Sequence, residues 1–72
     1  MNRLEFELFI KRNECSKRDI SEYLGISEQA LQNKLKQKSE FKSSEIYKFC
    51  RLFKLELRDP IVSDIFFNPE VN

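Results

Sequence analysis

The chain's single glycine, Gly25, constrains the fold most because it separates two short segments that both show helical periodicity. Before the glycine, apolar residues recur at the spacing i, i+3, i+4, namely Ile20, Tyr23 and Leu24. After it, Leu31 and Leu35 recur at i, i+4. Glycine can adopt the left-handed conformation that a tight helix exit needs. The pattern predicts a helix over about 17–24, a sharp turn, and a helix over about 28–36.

Two serines are placed to begin these helices. Ser16 precedes the first segment and Asp19 follows three residues later, an arrangement like a capping box with Asp in place of Glu or Gln. Ser27 directly precedes the second segment as its N-cap. The apolar residues that would pack where the two helices cross are Ile20, Leu24, Ile26, Leu31 and Leu35. Residues 16–36 are therefore predicted to form a helix-turn-helix.

Helical patterns also extend over the rest of the chain. A first helix is predicted over about 3–13 from Phe6, Phe9 and Ile10, although the alternation from Leu4 to Leu8 is also compatible with a short strand. A fourth helix is predicted to begin after Lys42 or Ser43, with the apolar stripe Ile46, Phe49, Cys50 and Phe53.

The pair Asp59-Pro60 is typical of an N-cap followed by proline at the first helical position. A short fifth helix should follow, with a buried side formed by Ile61, Val62, Ile65 and Phe66, and residues 68–72 should fray. A chain of 72 residues has room for one domain. The sequence therefore predicts a single all-α domain, residues 1–72, built from five short helices around a core rich in phenylalanine.

The net charge is only +1, but its distribution is uneven. Residues 30–54 contain seven Lys or Arg against two Glu, a net charge of +5, whereas the flanking segments are slightly acidic. A local excess of positive charge can attract a polyanion although the total is near neutral. The N-terminal residues do not resemble a signal peptide and no apolar run approaches a membrane span, so a cytoplasmic location is expected.

Two cysteines and no histidine give little scope for metal or redox chemistry. Cys15 and Cys50 are expected to be free packing residues rather than redox sensors, and two thiols alone cannot complete a zinc site. A Gly-rich phosphate loop, or a Ser or Cys paired with a plausible base, is not found in the sequence either. No metal, no cofactor and no enzymatic activity are therefore predicted.

The outward face of the predicted third helix carries the chemistry of interest. It presents Glu28, Gln29, Gln32 and Asn33. Side-chain amides can hydrogen-bond the edges of bases in the major groove, whereas Glu28 either accepts from a cytosine amino group or only stabilises the helix N-terminus. Beyond this face, Lys34, Lys36, Lys38 and Lys42 are expected to contact phosphates, although they are also compatible with an ordinary solvated surface.

The stretch from Ser16 to Leu35, with its Leu-Gly-Ile-Ser turn, resembles the phage repressor/Cro class of helix-turn-helix regulators, the XRE-like family. The continuation Phe41-Lys42-Ser43-Ser44-Glu45-Ile46 and the closing Asp64-Ile65-Phe66-Phe67 extend the resemblance over about residues 4–67. It implies a compact five-helix, lambda-repressor-like DNA-binding domain that represses transcription. The implied partner is a double-stranded DNA operator, commonly bound by a dimer at a two-fold symmetric site.

The resemblance also implies roles for individual residues. Bases would be read by Glu28, Gln29, Gln32 and Asn33, while a phosphate or an outer base would meet Ser16 and Lys17. The DNA backbone would meet Lys38, Lys42, Ser43 and Ser44. Two positions depart from the family pattern: Ser21 stands where Ala is most common, and Lys34 where many members have an apolar residue. We expect the Ser21 hydroxyl to bond a carbonyl one turn back, and Leu35 to take the core position with a slightly rotated third helix.

The sequence is compatible with a second function and with two interpretations of four apolar residues. The near-neutral charge and Glu28 on the reading surface also suit a protein-interaction module, such as an anti-repressor or adaptor, that has this fold without DNA binding. Exposed apolar residues could form a weak homodimer that is formed or strengthened on DNA, or they could be edges of the core: Leu4, Leu8, Phe66 and Phe67.

Overall fold

The computed structural model describes residues 1–67, which form five α-helices and a π-helical turn. The helices are α1 Arg3–Arg12, α2 Lys17–Leu24, α3 Glu28–Leu35, α4 Ser43–Leu52 and α5 Pro60–Val62, and α5 leads into the π-helical turn Ser63–Phe67. No strand occurs within residues 1–67, and Leu4 to Leu8 lie in α1, so the all-α prediction with five helices is confirmed. The predicted fraying of residues 68–72 lies outside the described residues.

The core is centred on aromatic rings, as the phenylalanine content predicts. Phe49 on α4 is fully buried, and its ring centroid lies 5.6 Å from that of Phe6, 5.7 Å from that of Phe9 and 5.1 Å from that of Phe66. Tilted and edge-to-face pairs at these distances are favourable beyond the area that they bury. One helix thus links α1 and the π-helical turn through a shared ring cluster.

The residues that begin α2 and α3, and the glycine that ends α2, are those that the sequence predicts. Ser16 caps α2 through a capping box with Asp19, and the hydroxyl of Ser27 accepts a hydrogen bond from the backbone N–H of Ala30 at the start of α3. Gly25 ends α2 with a φ of 74°. α2 packs against both α3 and α4, so the turn at Gly25 holds α3 beside the core.

Two apolar residues that were expected inside lie at the surface. Tyr23 is 45% exposed and Ile61 is 38% exposed. On α2 the buried positions are Ile20, Ser21 and Leu24, and at 3.6 residues per turn Tyr23 lies to one side of the face that these three define. The hydroxyl of Ser21 donates to the carbonyl of Arg18 at 2.8 Å, which confirms the expected bond to a carbonyl one turn back.

The four apolar residues considered for a dimer surface divide between core and surface. Phe66 is buried, whereas Leu4, Leu8 and Phe67 are exposed by 44–63%. Both cysteines are free, Cys15 half-buried and Cys50 buried. Across residues 1–67, a helix with the length and apolar character needed to cross a membrane is not found.

Candidate nucleic-acid interface

Four polar residues predicted to read bases share one face of α3. Glu28 and Gln29 are exposed, and Gln32 and Asn33 are partly exposed. Neighbouring positions of this set differ by one or three residues and the pairs 28/32 and 29/33 by four, which places them on one side of a helix with 3.6 residues per turn. The opposite side of α3 is buried through Leu31, Lys34 and Leu35. The facing of α3 is therefore fixed, with the predicted reading residues outward.

Two of these residues pair with each other. The amide nitrogen of Gln29 donates to the amide oxygen of Asn33 at 3.2 Å, across one turn of α3. Such an i, i+4 pair limits the rotamers that both side chains sample. The remaining N–H groups and the oxygen of Gln29 can still bond external donors and acceptors, so the two amides present a partly ordered polar surface.

Ser16 is the N-cap of α2 and Lys17 is the first residue of this helix. The Ser16 hydroxyl accepts from the Asp19 backbone N–H at 3.1 Å, and the Asp19 carboxylate accepts from the Ser16 backbone N–H at 3.1 Å. The hydrogen bond from the Ser16 backbone N–H is the largest cause that lowers the pKa of Asp19. The contact with the Ser16 side chain and the nearby charge of Arg18 lower this pKa further. Because the hydroxyl also stabilises the Asp19 carboxylate, an external anion would compete with Asp19 for the Ser16 hydroxyl proton.

The charge of Lys17 is shared with α1. Its Nζ lies 2.6 Å from Oε1 of Glu7, and the side chain remains 36% exposed. A lysine in a partly exposed ion pair keeps donors that can reach a second anion. Lys17 therefore stays a candidate phosphate contact, but with a competing internal partner that the sequence did not suggest.

The segment from α3 to α4 contains the other predicted phosphate contacts. We call residues 36–42 the basic segment; its lysines Lys36, Lys38 and Lys42 are exposed, as are Ser43 and Ser44 at the first two positions of α4. None of the ion pairs formed within residues 1–67 involves these three lysines. Their charge is therefore available to an external anion, next to the last turn of α3.

Lys34 does not belong to this exposed series, and its prediction as a phosphate contact is wrong. Its side chain is 8% exposed, and its Nζ lies 3.1 Å from Oε1 of Glu45. The same Nζ donates to the backbone carbonyl of Glu40 at 3.1 Å and lies 5.7 Å from the ring centroid of Phe41. A buried acceptor set overrides the usual preference of lysine for water.

Lys48 is a further residue that sequence reasoning missed. Its Nζ lies 3.5 Å from the carbonyl oxygen of Leu24, the last residue of α2. Cations near the C-terminal carbonyls of a helix are favourable, and α2 has no basic residue of its own in its last turn. Lys48 thus supports the turn at Gly25 from α4. The residues are 24 positions apart, so no local signal could have revealed the contact.

A surface cavity of about 330 Å³ is lined in part by the basic segment. Its walls include Lys34, Gln37, Phe41, Ile46 and Phe66.

Elsewhere, burial and, to a lesser degree, the negative charge of Asp59 raise the pKa of the Cys50 thiol, which keeps it protonated. Within residues 1–67, no group of three or more His, Cys, Asp or Glu is arranged to hold a metal ion.

Comparison with protein-family models, with curated proteins and with solved structures finds no significant match for this chain. The functional assignment therefore rests on the residues and geometry described above. These are an outward polar face on α3, a tight turn that precedes it, and an exposed basic segment that follows it.

Proposed function

We propose that this protein is a sequence-specific DNA-binding transcriptional repressor of the phage Cro/repressor type. In this proposal α2, the turn at Gly25 and α3 form a helix-turn-helix within a lambda-repressor-like domain. α3 would enter the major groove of a double-stranded operator, and the protein would act in the cytoplasm of a bacterial cell, encoded by a phage or mobile element. Repression would follow from occlusion of a promoter.

The observation that carries the proposal is the outward face of α3. Four polar side chains lie on it, and three unpaired lysines of the basic segment follow directly. Base contacts from amides would set specificity, since a good bidentate contact discriminates by about 1–3 kcal/mol. Lysine contacts to phosphates would supply affinity that decreases with salt, because bound counterions are released. Side chains of the kinds that both contributions require lie on adjacent surfaces, and this supports the proposal.

The proposed partner is an operator with two-fold symmetry, bound by two copies of the chain. A chain of 8.7 kDa has little surface to spare for a dimer interface, so self-association would be weak in solution and strengthened on DNA. Leu4, Leu8 and Phe67 are exposed apolar side chains that such an interface could cover.

In vitro selection of bound duplexes, followed by sequencing, tests the function. We expect a consensus sequence with two half-sites, and mobility-shift titrations in which the operator affinity falls steeply between low and physiological salt. Absence of binding at low salt, or binding without sequence preference, would contradict the proposal.

The second candidate is a protein-interaction module with this fold. A net charge of +1 and the exposed carboxylate of Glu28 on the outward face of α3 favour it, because both disfavour contact with a polyanion. For this candidate, the selection experiment should return no enriched DNA.

A further inference from the structure

A buried ion pair ties the last turn of α3 to the first turn of α4. Lys34 and Glu45 are each 8% exposed, with Nζ and Oε1 3.1 Å apart. They flank the basic segment, Lys34 on α3 before it and Glu45 on α4 after it. The pair therefore connects the two helices between which the basic segment runs.

The pair also holds the backbone between these ends. The ammonium of Lys34 donates to the carbonyl of Glu40 at 3.1 Å, and the carboxylate of Glu45 accepts from the backbone N–H of Lys42 at 2.7 Å. One cation and one anion thus fix two backbone positions of the segment that carries the exposed lysines. Burial shields these bonds from solvent and salt.

Stability alone does not account for this arrangement. Apolar residues of similar volume in place of a buried ion pair often leave a protein equally stable or more stable, because both charges must be desolvated. An apolar pair could hold α3 against α4. An apolar pair could not hydrogen-bond the backbone of residues 40 and 42. The charged pair therefore fixes the orientation of this backbone, which apolar packing does not.

We infer that Lys34 and Glu45 are positioning residues for DNA binding: they hold the basic segment in register with α3, so that its lysines meet phosphates while α3 meets bases. This inference rests on the proposed function. Without the pair, the lysines still attract any duplex. The operator complex, however, must order the segment when it forms, and ordering on binding lowers affinity.

The two residues allow a test in which simple charge effects and positioning predict different results. Lys34→Met lowers the net charge by one, and Glu45→Met raises it by one. Long-range electrostatics predicts weaker binding for the first variant and tighter binding for the second. Positioning predicts about a tenfold loss of operator affinity for both, with affinity for random duplex unchanged within about twofold for Lys34→Met.

The probes are the selected operator and a random duplex of equal length, titrated over a range of salt concentrations well below each variant's melting temperature. Lys11→Met, an exposed charge change on α1, is the matched control and should lower both affinities by the same small factor. Lys34→Met should keep the salt slope of wild type on random duplex, whereas loss of a direct phosphate contact would reduce the slope by about 0.9.

If Lys34→Met does not fold, Glu45→Met decides alone, because it keeps a side chain of similar length and removes the carboxylate that accepts from the Lys42 N–H. Operator binding by Glu45→Met as tight as wild type, or an equal loss on both duplexes for Lys34→Met, would overturn the inference. If the wild-type protein selects no sequence, the proposed function itself fails and the inference fails with it, which is a distinguishable result.

Discussion

Gly25 offers a direct measure of how much the turn before α3 depends on backbone conformation. Its φ is 74°, a left-handed value that costs an alanine about 1–2 kcal/mol. A Cβ added there would meet only Nζ of Lys48 at 3.9 Å, an ordinary contact. Sterics with neighbours therefore add nothing, and the cost of Gly25→Ala is that of the backbone alone.

The unfolded chain reduces this cost. Alanine has less freedom than glycine in the unfolded state, which offsets about 0.4–1 kcal/mol. The net loss in free energy of unfolding should be about 1 kcal/mol, equivalent to a fall in Tm of about 4–8 °C for a domain of this size. Thermal and urea unfolding followed by circular dichroism would measure it.

Glu14 supplies the reciprocal experiment. It has a φ of 58° after α1, and the backbone bonds match those at Gly25: Glu14 N–H to Lys11 and Cys15 N–H to Ile10. Glu14→Gly should therefore raise the free energy of unfolding by up to about 1 kcal/mol. A Gly25→Ala variant as stable as wild type, or a Glu14→Gly variant less stable than wild type, would refute the reasoning.

Three further predictions concern the interface, the cap of α2 and the thiols. Gln29→Ala should reduce discrimination between operator and random duplex more than it reduces general affinity for DNA. Lys38→Ala should weaken binding to operator and to random duplex equally and reduce the salt slope by about 1. Mobility shifts that reveal no such contrast would contradict the roles proposed for these residues. Asp19 has a folded pKa below its ordinary value of 3.8, so its stabilisation is present above that value and lost as the pH falls through the folded pKa. The difference in Tm between wild type and Asp19→Asn should be larger at pH 7 than at strongly acidic pH, and an equal difference would exclude the cap as its source. In the folded protein, a thiol reagent should modify Cys15 well before Cys50, whose burial raises its pKa; equal rates in native buffer would show that the core opens readily.

Short-range rules account for the parts of the fold that the sequence predicts well. The capping box of Ser16 and Asp19, the left-handed Gly25, the cap at Ser27 and the Asp59-Pro60 start of α5 each depend on residues within a few positions of one another. Their hydrogen bonds form within one turn of helix. The bounds of α2 and the start of α3 therefore agree with the sequence prediction.

Long-range partners account for the parts that sequence reasoning missed. Lys34 is polar, so periodicity places it outside, but Glu45 and the carbonyl of Glu40 form a buried acceptor set that only the folded chain assembles. Tyr23 belongs to an apolar stripe, yet Ser21 takes the inner position because a small side chain lets α2 approach its neighbours. Sequence patterns rank residues by polarity, whereas the fold selects them also by size and by available partners.

The pairing of charges explains how a chain with a net charge of +1 can still present a basic surface. Glu7 lies beside Lys17, Glu22 beside Arg18 and Glu45 beside Lys34, so these acidic residues compensate cations outside the exposed lysines of the basic segment. A salt-dependent interaction is governed by the uncompensated charges at the contact, not by the sum over the chain. The near-neutral total therefore weighs less against DNA binding than it does when the sequence is considered alone. The salt slope of binding reports how many of these uncompensated charges meet phosphates, whereas sequence enrichment in the selection experiment discriminates between the two candidate functions.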